Sequence, residues 1–100
     1  MLIWICVDSK DEKNAKITKV MDAKYWALIE FDGGVAKEAI FYDNREDYTD
    51  WVDFIIMKDK YESYMDFMNE GMMVLVVRNE ESIEDIIEAF KFKELDEAGF

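Results

Sequence analysis

Few residues of this chain have side chains suited to chemistry. Cys6 is the only cysteine and there is no histidine, which removes the commonest metal ligand and the commonest general base at neutral pH. A lone thiolate could ligate an iron–sulfur or iron–molybdenum cluster only if a second copy of the chain supplied further ligands. Inside the apolar run Leu2–Val7, its ordinary behaviour is that of a small buried hydrophobe. Tyr61, Tyr64, Met65 and Met68 could be read as a thioether site for cuprous copper, but their i, i+3, i+4, i+7 spacing is what a helix packed on a sheet requires. No nucleophile is paired with a base and no phosphate loop occurs, so the expectation is a non-enzymatic protein without a metal or cofactor.

Two charged constellations remain. Asp43, Glu46, Asp47, Asp50 and Asp53 face only Arg45, giving the segment four net negative charges, and Tyr42, Tyr48 and Trp51 are interleaved with them. Their spacing matches no calcium loop. Aromatics supply binding energy at interfaces while acids steer encounter, so Asp47, Tyr48, Asp50 and Trp51 are candidates for the contact surface of a basic protein partner. Packing of Trp51 beneath the sheet is the alternative. The second constellation is Ser9, Lys10, Lys58, Lys60 and Arg78, with Asn79 beside them. If the strands before them are parallel neighbours, their carboxyl ends gather these residues around one crevice that could take a small anion. Ordinary charged loop ends are the competing reading.

The elements that must position these residues follow from the hydrophobic pattern. Leu2–Val7 reads as a central strand buried on both faces. After a polar stretch and an optional short extended piece at Ile17–Met21, Tyr25–Phe31 is the second strand. Asp32-Gly33-Gly34 turns it back into a third, Val35–Tyr42, as a hairpin. Asp43–Asp50 is a loop or one helical turn, and Asp53–Met57 a fourth strand. A helix is expected from about Asp59 to Glu70, capped by Gly71, then a fifth strand at Met72–Val77 and a second helix from Ser82, whose hydroxyl and Asp85 resemble a capping box. Strand–helix–strand implies a parallel pair and the hairpin an antiparallel one, so the expected fold is a single α/β domain over residues 1–100 with a mixed five-stranded sheet.

Composition bounds the partners. Of 100 residues, 51% are apolar, and Lys plus Arg total 12 against 24 Asp plus Glu, a formal charge of −12. Such a chain folds around a core, and it repels nucleic acid and anionic membrane surfaces. A single cysteine allows no intrachain disulfide and suits the cytoplasm, and no targeting segment or membrane span is visible. An exposed sheet edge leaves a homodimer open.

The same residues carry a likeness to a known family. The opening strand ending in Val7-Asp8, Ile17-Thr18 leading through Met21-Asp22-Ala23 to Tyr25-Trp26, the strand end Phe31-Asp32-Gly33, and Trp51-Val52-Asp53-Phe54-Ile55-Ile56 all take part. So do Phe67-Met68-Asn69-Glu70-Gly71-Met72-Met73-Val74 and Ser82–Phe90 with Leu95. In these the chain resembles the dinitrogenase iron–molybdenum cofactor biosynthesis family. The resemblance implies a ribonuclease H-like sheet in the order third, second, first, fourth, fifth. It also implies a shortened, divergent member: the glycine-bearing loops expected around a cluster are here Asp43–Asp50 and Met57–Lys60. The expected function is therefore a small binding or interaction domain with an unidentified partner, and the alternative is a cluster carrier using Cys6 in a dimer. A nuclease-like metal site at Asp8, Glu38 and Asp59 is disfavoured, because fold alone does not carry function and the charge opposes the substrate.

Overall fold

The computed structural model describes residues 1–98. Its centre is β1 (Leu2–Val7), paired antiparallel with β2 (Tyr25–Asp32) on one side and parallel with β5 (Phe54–Met57) on the other. β6 (Met73–Val76) lies parallel beside β5, and β7 (Asp96–Glu97) closes that edge antiparallel to β6. On the far edge β2 carries β3 (Val35–Ala36) and β4 (Ile40–Tyr42), so the order is β3-β2-β1-β5-β6-β7 with β4 also on β2. This is the expected α/β architecture, with seven strands among the described residues where five were expected. The third strand is split in two, and the last is a two-residue acidic segment of low strand propensity.

Alternation along the strands divides the core into two layers. Ile3, Ile5 and Val7 of β1, with Ala27, Ile29 and Ile56, face α2 (Ile83–Lys91) through Ile83 and Ile86. Trp4, Leu28, Ile55 and Val74 face the other way, onto Val52, Met72 and Phe67 of α1 (Met65–Asn69). The hairpin turn is made by Gly33 (φ 58) and Gly34 (φ 80), two successive positive φ values that match the twist of the paired strands. Beyond it, Phe31 pairs with Ala36, but Leu28 pairs with Ile40. One extra residue is thus accommodated between β3 and β4, a bulge. There Lys37 donates its backbone N–H to Glu30, and the Glu12 carboxylate takes the N–H of Ala39.

Two expectations are corrected. The helix does not run from Asp59; α1 begins only at Met65, and Tyr61 is 84% exposed rather than on a packed stripe. The cause is Glu62, whose two carboxylate oxygens accept from the backbone N–H groups of Val20 (2.6 Å) and Asp59 (3.0 Å) and hold the segment in turns. The Ile17–Met21 piece is not a strand either: Ile17 makes one isolated bridge to Val7, and Val20–Asp22 is a single 3-10 turn. The Ser82 cap forms as expected, with Asp85 donating its N–H to the hydroxyl at 3.1 Å. Among the described residues no helix is long and apolar enough to cross a membrane.

Candidate functional site

The parallel strands β1, β5 and β6 end together, so the loops after Val7, Met57 and Val76 emerge at one end of the sheet. A cleft of about 770 Å³ opens there, but of the expected cations only Lys58 and Lys60 line it, opposite Asp59, Asp96 and Glu97. Arg78 is withdrawn into an ion pair with Asp96 (3.0 Å), which holds its guanidinium pKa above the ordinary value. Lys10 lies over the Tyr25 ring at 5.0 Å and 3.6 Å from an Asp43 carboxylate oxygen. Ser9 accepts from the N–H of Asp11. The five residues are therefore not brought together, and the cleft's acids outnumber its lysines, so its field does not favour an anion.

Cys6 sits in the middle of the sheet opposite Trp26 and is 1% exposed. Burial first, and the Glu62 carboxylate second, push its thiol pKa far above the ordinary value. A cluster ligand must be a thiolate on an accessible face. Among the described residues no group of three cysteines or carboxylates is placed to hold a metal ion. As it lies, this donor set does not fit an iron–sulfur or iron–molybdenum cluster, and a second copy would reach Cys6 only by displacing the side chains that bury it.

The acidic segment is organised around rings. Trp4, buried in β1, is met edge-on by Trp26 (5.6 Å), Tyr42 (5.9 Å) and Tyr48 (5.9 Å). Tyr48 is thus half buried and structural. A 3-10 turn at Arg45–Asp47 follows Asn44, and Asp47 closes it by accepting the Asn44 N–H at 3.1 Å. Arg45 spans to α1, stacking over Phe67 at 4.8 Å and pairing with Glu70, whose carboxyl it holds below the ordinary range. Asp53 accepts the N–H of Leu2 (2.8 Å) and the indole N–H of Trp51 (3.0 Å); the first bond, then the second, lowers its pKa. Trp51 is not beneath the sheet. It is 57% exposed, and its ring lies over Gly71 so closely that a Cβ there would stand 2.4 Å from it. Glu46, Asp47 and Asp50 are exposed, and Asp50 accepts the backbone N–H of Trp51 at 2.8 Å. The segment thus presents a seated indole among exposed acids, its one arginine already neutralised by Glu70.

Sequence reasoning missed a second cleft, of about 570 Å³, on the opposite face of the sheet where α2 ends. Phe31, Phe54, Leu75 and Phe90 form its apolar wall, and these come from four separate elements, so no local pattern announces them.

The α/β domain defined by this sheet has solved counterparts. One is a protein of Methanocaldococcus jannaschii (MJ0327), provisionally assigned as a dinitrogenase, at 18% identity and a TM-score of 0.75 over 99% of this chain and 95% of that one. Another is the protein PH0822, at 14% identity and a TM-score of 0.74 over 99% and 97% of the two chains. At such identities the likeness is one of fold. No family model matches the chain, and no curated protein matches it.

Proposed function

We propose that this chain is a non-catalytic interaction domain that docks a basic protein partner through the surface around Trp51. The observation that carries this reading is the exposed indole, held in one orientation by Asp53 and Gly71, with Asp50 bonded to its backbone and Glu46 and Asp47 exposed in the same segment. A preorganised ring loses little conformational entropy on binding, and the carboxylates select a cationic partner and speed its encounter. A reducing cytoplasm suits the single buried thiol.

The test is affinity capture from cell extract with the native chain and with a Glu46→Gln, Asp50→Asn, Trp51→Ala variant. This set leaves Asp47 and Tyr48 in their structural contacts. The expected result is a basic partner that is released by salt and absent from the variant's eluate. A folded variant that retains every specific partner with unchanged salt sensitivity overturns the reading. So does a stable visible chromophore after anaerobic reconstitution with iron, sulfide and molybdate that disappears in Cys6→Ser, which would establish a cluster carrier instead.

A further inference from the structure

α1 and α2 end in the same hydrogen-bond pattern but with different residues at its critical point. After α1, Met72 donates its N–H to Phe67 and Gly71 to Met68; after α2, Glu94 donates to Ala89 and Lys93 to Phe90. Both closures need a positive φ at the residue after the cap, +92 for Gly71 and 57 for Lys93. Glycine takes this conformation freely, whereas a lysine meets steric resistance from its Cβ. Lys93 is the only non-glycine among the described residues with positive φ, and it lines the cleft of about 570 Å³ at the end of α2.

That cleft is built differently from the one at the carboxyl ends of the strands. Phe90 meets Phe31 (5.3 Å) and Phe54 (4.9 Å) edge to face, making a three-ring wall continued by Leu75. Its charged lining is Lys91, Lys93 and Glu97. Cations therefore outnumber acids two to one here, in a chain where acids outnumber cations by 24 to 12. Among the described residues neither lysine is in an ion pair. Complementing the dipole of α2 accounts for basic residues near its end, but not for a lysine held at positive φ beside an apolar cleft. The volume lies within the roughly 300–1,000 Å³ of small-molecule sites.

We propose that this cleft binds a small amphiphilic carboxylate, its aromatic or branched apolar body on the Phe31–Phe54–Phe90 wall and its anionic end on the ammonium groups of Lys93 and Lys91. A neutral occupant would leave the lysines unused, and a cationic one would be repelled by them. The site lies across the sheet from Trp51 and is independent of the partner surface.

The experiment is an amide NMR titration of the full chain with 3-phenylpropanoate, and in parallel with 3-phenylpropanol, which has the same body without the charge. Saturable shifts at Phe54, Phe90 and Leu95 are expected, with the alcohol at least about fivefold weaker. Lys93→Gly removes the ammonium while relieving the backbone, so it keeps the fold, and its affinity for the acid should fall by at least about fivefold. Lys91→Gln should weaken the acid and leave the alcohol unchanged. Absence of saturation, shifts centred elsewhere, an alcohol that binds as tightly as the acid, or a Lys93→Gly variant with native affinity would each overturn the proposal.

Discussion

Gly71→Ala should destabilise the domain by about 2–3 kcal/mol, and most of that cost can be assigned in advance. The residue sits at φ +92, where a side chain meets its own backbone, costing about 1–2 kcal/mol. The new Cβ would also stand 2.4 Å from the far edge of the Trp51 ring, closer than any real contact, so the indole must leave its seat. Because that ring is already 57% exposed, the lost burial adds only about 1 kcal/mol. The two parts separate in a double-mutant cycle with Trp51→Ala. Without the indole, Gly71→Ala should cost the backbone share alone, leaving a coupling of about 1 kcal/mol. Urea melts of the four proteins followed by far-ultraviolet circular dichroism, with equal m-values, measure it. If Gly71→Ala costs the same in both backgrounds to within about 0.3 kcal/mol, Trp51 does not rest on Gly71 and the seated-indole surface is wrong.

Trp4→Ala should cost about 3–5 kcal/mol by chemical denaturation, since it empties the centre of a four-ring cluster; a loss under about 1 kcal/mol would mean the cluster is not packed as described. Cys6 should stay unmodified by an aromatic disulfide reagent at neutral pH in the native chain and react fully in urea; rapid native labelling would contradict its burial. The Asp53 carboxyl is lowered from 3.8 by the Leu2 N–H and the Trp51 indole, so its stabilisation is complete above that value and lost as pH falls toward the folded-state pKa. Asp53→Asn should therefore flatten the acid limb of the stability curve below about pH 4 and leave its neutral region parallel to the native one; an unchanged acid slope would refute the assignment.

The sheet was legible because its information is local. Leu2–Val7 could only be a doubly covered strand, and Gly33-Gly34 could only reverse the chain. Ser82 with Asp85 announced the start of α2. The segment after Asp59 misled for the opposite reason: its apolar spacing is helical, but Glu62 bonds the backbone of Val20, a residue 42 positions away. In the acidic segment the sequence shows the acids and aromatics together but not their division of labour. Asp47 and Tyr48 look no different in sequence from Asp50 and Trp51, yet the first pair is spent on a turn and a ring cluster. The crevice of Ser9, Lys10, Lys58, Lys60 and Arg78 failed on side-chain pairing, which strand order does not determine.

The position of β1 also bears on how the chain is made. β1 is made before the other strands of this sheet, but its parallel neighbour arrives late: Leu2 and the Asp53 that receives its N–H are 51 positions apart. At roughly 5–20 residues per second, several seconds pass in which β1 has only the β2 hairpin for company. Throughout that interval Ile3, Ile5 and Trp4 lack the residues that will cover them on both faces. Closing so long a loop makes the central pairing slow as well as late. The nascent domain is therefore most exposed to misassociation through the strand that becomes its most protected, and a chaperone acting on it would find its binding sequence within Leu2–Val7.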